Sequence, residues 1–246
     1  MKVINLFGGP GTGKSTLAAS LFAAFKIRGY NAELVTEFAK DLVWSERNKE
    51  LGDQVYILGK MYHKLWRLKD KVDVVIIDSP LPLCCYYDQG RTHGFEQFVM
   101  GLFDQFDNYN FLLERNFPYQ QEGRYQDEAG ANKVHVEIYK LLDALHIQFV
   151  KKKSPQMSSE AITSQAMYNS FVQTLVDEII EFGAQREGFQ KNIEKLEKQF
   201  AEDAMKPLAN LRVEPDEMPI VLGPGSKGGP REKPRKLYAP PYNPVS

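Results

Sequence analysis

A glycine-rich stretch near the start of the chain, between a short apolar run and a helical pattern, constrains the fold more than any other feature. Residues 2–7 (KVINLF) form the apolar run. The stretch that follows at once is Gly8, Gly9, Pro10, Gly11, Thr12, Gly13, Lys14 and Ser15. Beyond it, apolar side chains recur every fourth position from Leu17 to Phe25. A strand that turns through glycines into a helix predicts the first βα unit of an α/β fold.

This stretch matches the pattern G-x-x-x-x-G-K-[ST] at every fixed position. Successive backbone N–H groups can surround a triphosphate only where no Cβ intervenes, and the glycines permit the backbone angles that this requires. Lys14 is expected to reach the β- and γ-phosphates, and the Ser15 hydroxyl to ligate Mg²⁺. The sequence therefore predicts a site for ATP and Mg²⁺ made of these eight residues together with Thr16.

Further apolar runs alternate with helical patterns along the first 153 residues. The predicted strands are 2–7, 31–36, 72–77, 109–113 and 147–150. Helices are predicted after the glycine-rich stretch, twice over 38–71 and once over 131–145. Strands that alternate with helices favour a five-stranded parallel sheet with right-handed crossovers and helices on both faces.

Composition excludes several classes of protein. The chain has 246 residues, with 31 Lys+Arg against 32 Asp+Glu, so a globally basic coat for nucleic acid is excluded. Its only cysteines, Cys84 and Cys85, are adjacent, which predicts reduced thiols that pack as small apolar groups. No apolar stretch approaches the roughly 20 residues of a membrane span. We expect a protein of the cytoplasm, or of the host cytoplasm if a phage encodes it.

Three segments are predicted: a domain over 1–153, a long helical extension over 154–206 and a flexible tail over 207–246. The extension places apolar residues at coiled-coil-like spacing, namely Leu175, Ile179, Phe182, Phe189, Ile193, Leu196 and Phe200. This pattern is compatible with a helix packed on the core or a helical hairpin, and also with self-association into a homo-oligomer through a coiled coil. The tail is rich in proline, glycine and basic residues, which favours a disordered segment, either simply solvated or a tether for DNA.

Two carboxylates follow predicted strands. Asp78 ends the run VVII, where it can hold Mg²⁺ through water, accept a proton or cap a helix ahead of Pro80. Glu37, with Asp41 nearby, follows the second strand and is a candidate ligand or base for an acceptor hydroxyl, or a surface glutamate. Because ligands of open α/β sheets bind along the carboxyl edge, both carboxylates are predicted beside the phosphate loop.

A segment after the fourth strand, residues 115–125 (RNFPYQQEGRY), has the composition of a closing lid. Arg115 and Arg124 are predicted to neutralise charge on a transferred phosphoryl group, and closure would exclude water. The alternative is a solvated loop whose arginines pair with Glu114 and Glu122. The sequence has no N-K-x-D signature of GTPases and no arginine-rich oligomerisation region of motor ATPases, which favours phosphoryl transfer to a hydroxyl.

Several blocks of the first 152 residues together resemble a known family. They read GGPGTGKST, LVTEFAKDLVW, DQVYILGKMYHKLWRL, VVIIDSP and RNFPYQQEGRYQDE. They are similar to P-loop kinases of the thymidylate kinase and nicotinamide riboside kinase type, and most similar to phage kinases that phosphorylate 5-hydroxymethyluracil in DNA. The resemblance implies a three-layer fold and transfer from ATP·Mg²⁺ to a nucleoside-like hydroxyl. It assigns the ATP loop to 8–15, the strand-end carboxylate to Asp78 and a lid arginine to Arg124.

One departure from this family bears on the acceptor. Asp78 is followed by Ser79 and Pro80, where thymidylate kinases commonly have an Asp-Arg pair. Its absence argues against free dTMP and favours an acceptor without its own phosphate, or one presented on DNA. The candidate base contacts are Tyr86, Tyr87 and Arg91, with core packing as the alternative for the tyrosines. The candidate phosphate contacts are Lys151, Lys152, Lys153 and the tail.

Other functions remain open from sequence alone. They are a kinase of small nucleosides or nucleotides, a regulatory P-loop NTPase acting on a protein or DNA partner, and a scaffold assembled through the seam at 175–200. The histidines are predicted to be ordinary surface or core residues, because their spacing matches no metal site. They are His63, His93, His135 and His146.

Overall fold

The computed structural model describes residues 1–47, 49–116, 119, 127–153 and 161–209. Within the last range, the side chains of 161–164, 200, 201 and 203–209 are not described. Arg124, most of the predicted lid and residues 210–246 of the predicted tail lie outside the described residues.

Five parallel strands form one sheet across the described residues. The strands are β1 (Lys2–Phe7), β2 (Ala32–Val35), β3 (Val74–Ile77), β4 (Asp107–Glu114) and β5 (Val150–Lys153). Their spatial order is β2-β3-β1-β4-β5, and every neighbouring pair is parallel. The predicted α/β fold with a five-stranded parallel sheet is confirmed.

Helices connect the strands and follow the last one. They are α1 (Lys14–Ile27), α2 (Phe38–Trp44), α3 (Gln54–Trp66), α4 (Leu83–Asp88), α5 (Phe95–Phe103), α6 (Glu128–Ala144) and α7 (Ala161–Ala209), with a 3₁₀ turn at Glu50–Gly52. The sequence patterns did not predict α4 and α5, although Phe95, Val99 and Phe103 recur four residues apart and are all buried.

Each face of the sheet has its own apolar core, so the chain forms three layers. Val3, Phe7 and Val75 point to the face covered by α3, α4, α5 and α6. Ile4, Leu6 and Ile76 point to the opposite face, against α1 and α7. The central strands are buried on both sides, which explains why β3 reads as four consecutive β-branched residues rather than an alternating pattern.

The last strand lies three residues later than its apolar run predicts. The prediction was Ile147–Val150, whereas β5 is Val150–Lys153 and pairs with Phe111–Glu114 of β4. Ile147 is buried just before the strand, so the apolar run marks the approach to the sheet rather than the paired residues. Exposed lysines are common on an edge strand because they discourage pairing with other chains.

The first part of α7 belongs to the core. The α7 residues buried on the α1 face of the sheet are Tyr168, Val172, Leu175, Val176 and Ile179. Arg28 pairs with Asp177 at 2.5 Å, and Arg186 pairs with Asp107 at 2.8 Å. The interpretation of this helix as one packed on the core is therefore confirmed for the stretch that ends at Ile179.

Beyond Ile179 the apolar seam of α7 turns to solvent. Phe182 is 51% exposed and Phe189 is 67% exposed. Farther along α7, Leu196 is 54% exposed. Self-association through the seam and the predicted segment boundaries stay predictions. Among the described helices, none combines the length and the apolar character that a membrane crossing requires.

Candidate functional site

The parallel sheet brings four loops to one edge. Since β1 pairs directly with β3 and β4, the loops that follow these strands are neighbours. The glycine-rich stretch follows β1, Asp78 follows β3 and Arg115 follows β4. Glu37 follows β2, which pairs with β3. This strand order places both carboxylates at the carboxyl edge of the sheet, as predicted, and Arg115 follows the strand on the other side of β1.

Glycine is required at the first position of the loop. Gly8 has a φ of 146°, in the region that residues with a Cβ rarely adopt. A Cβ there would lie 2.8 Å from Thr12 Oγ1 and 2.9 Å from the Leu113 carbonyl oxygen. The buried Thr12 hydroxyl in turn donates to the Gly9 carbonyl at 3.0 Å. The close approach of β4 and the hydrogen bond from the Thr12 hydroxyl therefore fix the shape of the loop.

The end of the loop presents the start of α1. Gly11 and Gly13 have φ values of 73° and 84°, and Gly13 occupies the N-cap position without a side chain that caps the helix. The first backbone N–H groups of α1 and the positive end of its dipole are thus available to an anion. Ser15 and Thr16 in the first turn are both exposed.

Lys14 folds back over this loop. Its ammonium donates to the Gly8 carbonyl at 2.8 Å and to the Gly9 carbonyl at 2.9 Å. A lysine held in this way places its charge beside the backbone amides that a phosphate would contact. The position agrees with the predicted role of Lys14 toward the β- and γ-phosphates, which stays a prediction.

Asp78 has a buried oxygen in need of a partner. The residue is 8% exposed, and its Oδ1 accepts no hydrogen bond from the described part of the chain. A buried carboxylate oxygen without a partner is costly, and a hydrated cation or a hydroxyl would satisfy it. Asp78 is not the N-cap of the next helix, because Pro82 holds that position in α4. The helix-cap alternative is therefore wrong.

These residues fit a magnesium ion whose other ligands come from the phosphates of a nucleotide and from water. Mg²⁺ prefers hard oxygen ligands and commonly takes one or two from protein, with waters and phosphates supplying the rest. The Asp78 carboxylate and the exposed Ser15 hydroxyl have this chemistry. No cluster of three or more His, Cys, Asp or Glu residues suited to a metal occurs in the described ranges. Two oxygen donors from the protein would leave the other positions of an octahedral Mg²⁺ to phosphates and waters.

Glu37 is the second carboxylate of the site. It occupies the N-cap position of α2, yet its side chain makes no capping hydrogen bond. Burial raises the pKa of Glu37, Lys14 opposes this rise and Asp78 adds to it. Glu37 therefore lies within the electrostatic reach of both residues, and a carboxylate with a raised pKa is suited to accept a proton. Neighbouring Asp41 is largely exposed, 4.0 Å from Lys64.

Arg115 lies beside the phosphate loop, but its partners differ from those expected. Its guanidinium donates to Asn132 Oδ1 at 2.5 Å and to Glu128 Oε1 at 3.1 Å, both on α6. It also lies 4.8 Å from the centre of the Tyr119 ring. A polar cavity of about 320 Å³ adjoins it, lined among others by Pro10, Thr12, Arg115, His135 and Lys153. The pairing with Glu114 named as an alternative is not the one observed.

The side chains after β3 are mostly engaged within the protein. The Tyr86 hydroxyl donates to Glu137 at 2.8 Å, and Arg91 donates to the carbonyls of Asp88 and Tyr87 at 2.8 and 2.9 Å. Tyr87 is 46% exposed, and burial together with nearby Glu37 raises its pKa to about 12. Of the three candidate base contacts, Tyr87 has the most accessible ring, and Arg91 serves mainly to hold its own turn.

The cysteines give no sign of reactivity. Burial raises the pKa of both thiols to about 12, so neither is a thiolate at neutral pH. This agrees with their predicted role as small apolar groups.

His135 is the site residue that sequence reasoning missed. It lies on α6, and its Nδ1 accepts a hydrogen bond from the Gly9 N–H at 3.3 Å. The sequence predicted an ordinary surface or core histidine at this position and gave no sign of this contact. No local signal could have found it, because 126 residues separate the partners and only the packing of α6 brings them together.

Gly8→Ala tests the shape of the loop. We expect ATP affinity to fall at least tenfold, because the new Cβ meets Thr12 and the Leu113 carbonyl and the φ value is strained. Gly59→Ala is the matched control, since a Cβ at Gly59 in α3 has open space around it. Calorimetric titration with ATP and Mg²⁺ measures both variants. Equal affinity in Gly8→Ala and the wild type would show that the loop does not bind the phosphates.

Comparison with known proteins gives a family and a set of similar folds. Among solved structures, thymidylate kinase from Ehrlichia chaffeensis is 15% identical, with a TM-score of 0.46, over 71% of this chain and 98% of its own. The APS kinase CysC of Mycobacterium tuberculosis is 14% identical, with a TM-score of 0.40, over 72% of this chain and 95% of its own. Deoxyadenosine kinase from M. mycoides is 16% identical, with a TM-score of 0.39, over 75% of this chain and all of its own.

A comparison with curated proteins finds no match to the chain. A family model described as an AAA domain matches residues 3–159, which include the glycine-rich loop, Glu37, Asp78 and Arg115. With well over half of its residues matched, the chain belongs to this family of AAA-type P-loop domains.

Proposed function

We propose that this protein is an ATP-dependent phosphotransferase that moves the γ-phosphoryl group to a hydroxyl of a nucleoside-like acceptor. The observation that carries the proposal is that two carboxylates in different surroundings follow strands at the same edge of the sheet as the phosphate loop. Asp78 has a buried oxygen in need of a partner, and Glu37 has a raised pKa. A metal ligand and a proton acceptor beside one phosphate site are what transfer to an alcohol requires.

In the proposed reaction, the acceptor hydroxyl attacks the γ-phosphorus and the bond to the β–γ bridging oxygen breaks. The hydroxyl proton passes to Glu37, and ADP leaves with the electrons of the broken bond. Lys14 and the loop amides hold the phosphates, while Asp78 and Ser15 would hold the metal. Bound Mg²⁺ would neutralise part of the phosphate charge.

Glu37 suits the role of base better than Asp78 does. Burial keeps its pKa above the usual value, so it is a stronger proton acceptor than an exposed carboxylate. The Lys14 ammonium opposes this effect, and its contact with the loop backbone places its positive charge where it can neutralise phosphate charge. Arg115 and Arg124 are proposed to neutralise charge on the transferred group when the segment 115–125 closes.

The acceptor class is proposed from the resemblance of residues 1–152. It points to the 5-hydroxymethyl group of hydroxymethyluracil in phage DNA, a step in hypermodification of DNA bases. Two exposed aromatic rings support a nucleobase acceptor: Tyr87 is 46% exposed, and Trp44, the last residue of α2, is 80% exposed. Stacking on such rings contributes about 1–3 kcal/mol per base.

Part of the basic strand proposed to contact DNA phosphates is engaged elsewhere. Lys152 pairs with Glu178, and Lys151 lies 4.6 Å from the centre of the Tyr139 ring. Lys153 lies 4.0 Å from Glu114, and its side chain is 70% exposed. A kinase of free nucleosides or nucleotides therefore stays the alternative to one that acts on DNA.

A panel of acceptors tests the proposed function. The wild-type protein and Lys14→Ala are incubated with γ-labelled ATP, Mg²⁺ and one acceptor at a time. The acceptors are DNA containing 5-hydroxymethyluracil, unmodified DNA of the same sequence, 5-hydroxymethyl-deoxyuridine, thymidine and dTMP. We expect label in the hydroxymethylated DNA with the wild type only. Label in a free nucleoside or nucleotide alone would support the alternative, and label in none of them would overturn the proposal.

Membership of the AAA domain family favours one other candidate, a P-loop NTPase that hydrolyses ATP to act on a protein or DNA partner. Its signature is rapid release of inorganic phosphate without an acceptor hydroxyl, stimulated by plain DNA or by a protein. The phosphotransferase instead predicts slow hydrolysis that falls further when the acceptor is added.

Glu37→Gln tests the assignment of the base. A base must be ionised to work, and burial raises the pKa of Glu37 above 4.5, so kcat should fall as the pH drops through a value above 4.5. We expect Glu37→Gln to lose about 10²–10⁴-fold in kcat and to lose this acid limb. Glu46→Gln, at an exposed position after α2, should keep both rate and profile. An unchanged acid limb in Glu37→Gln would assign the base elsewhere.

We also propose that the exposed seam of α7 associates with a second copy of the chain. Phe182 and Phe189 are each more than half exposed and lie seven residues apart along one helix. Phe189→Glu should reduce the mass measured by light scattering, whereas Gln190→Glu, at an exposed neighbouring position, should not. A monomeric wild type at all concentrations would contradict this assignment.

A further inference from the structure

We propose that His135 is a positioning residue of the phosphate loop. It fixes the loop backbone by accepting a hydrogen bond from the Gly9 N–H. The inference goes beyond the proposed chemistry, since it concerns the shape of the loop. It rests on the proposed function only in taking this loop to bind a nucleoside triphosphate.

The first argument is steric. A Cβ at Gly9 would lie 2.8 Å from the Ala131 carbonyl oxygen and 2.9 Å from His135 Cβ, so α6 packs directly against the loop backbone. The pattern G-x-x-x-x-G-K-[ST] leaves this second position free. Glycine is therefore needed at position 9 because of the approach of α6, and not because of the phosphates.

The second argument is the pattern of hydrogen bonds around Gly9. Its N–H donates to His135 Nδ1 at 3.3 Å, while its carbonyl accepts from Lys14 at 2.9 Å and from Thr12 at 3.0 Å. The backbone at Gly9 is thus held at its carbonyl by Lys14 and Thr12 and at its N–H by His135. Fixing the loop in advance reduces the entropy that nucleotide binding would otherwise cost.

The third argument is the protonation state of the ring. An Nδ1 that accepts a hydrogen bond carries no proton, so His135 holds Gly9 only as the neutral ring protonated on Nε2. The charged groups that face the ring are Glu114, Arg115, Lys14, Lys151 and, in the same cavity, Lys153. Burial lowers the pKa of His135; Glu114 opposes this, and Lys14 and Arg115 reinforce it. The imidazole therefore stays neutral at neutral pH, and the contact is lost as the pH falls through a value below 6.5.

Two substitutions separate positioning from simple packing. Asn at position 135 keeps an acceptor close to Nδ1 and cannot titrate, whereas Leu keeps the volume and removes the acceptor. At pH 7.5 we expect His135→Leu to bind ATP·Mg²⁺ about three- to tenfold more weakly than the wild type, and His135→Asn to stay within about twofold. Calorimetric titration measures all three proteins. Equal weakening by both substitutions, or by neither, would overturn the proposal.

A titration of the nucleotide-free wild type provides an independent readout. In ¹⁵N NMR spectra, the Gly9 amide and the His135 ring nitrogens should change together with one midpoint below pH 6.5, and the Gly9 change should vanish in His135→Asn. A Gly9 amide that does not follow His135 would also overturn the inference. This experiment needs no ATP, so it tests the contact between His135 and Gly9 even if the wild type fails to bind ATP. A failure to bind ATP would overturn the proposed function and leave the result of the NMR titration unaffected.

Discussion

The parallel pairing of β1 with β3 and β4 is the constraint on which the rest of the site depends. It places the phosphate loop between the strand that ends at Asp78 and the strand that leads to Arg115. The strand β4 approaches the loop closely, since a Cβ on Gly8 would lie 2.9 Å from the carbonyl oxygen of Leu113. A different strand order would leave the same motif without its carboxylate.

Burial then gives the two carboxylates different characters. The buried Oδ1 of Asp78 accepts no hydrogen bond from the described residues, so it favours a cation or a hydroxyl. Glu37 lies at the start of α2, where burial raises its pKa while Lys14 limits the rise. The two carboxylates thus lie in different surroundings: among the described residues the buried oxygen of Asp78 has no hydrogen-bond partner, whereas Glu37 has a raised pKa.

Local patterns in the sequence predicted most of the strands and helices, together with the positions of the phosphate loop and Asp78. The phosphate loop and Asp78 follow from short motifs, because each depends on its position within one βα unit. The limits of β5 could not be predicted, since its apolar approach at Ile147 resembles a strand more than Val150–Lys153 does. Contacts between elements far apart in the sequence could not be predicted either. Arg115 donates to Asn132 on α6, and His135 on the same helix accepts a hydrogen bond from Gly9, which lies 126 residues earlier in the chain.

The central claim is that the turn after β1 binds a triphosphate together with a metal held by Asp78. Calorimetry with ATP in the presence and absence of Mg²⁺ tests it most directly, on the wild type and on Asp78→Asn. The account predicts that Mg²⁺ strengthens ATP binding to the wild type and that Asp78→Asn loses this strengthening while it retains metal-free binding. Wild-type protein that binds no ATP with Mg²⁺ present, or an Asp78→Asn variant with the full effect of Mg²⁺, would contradict it.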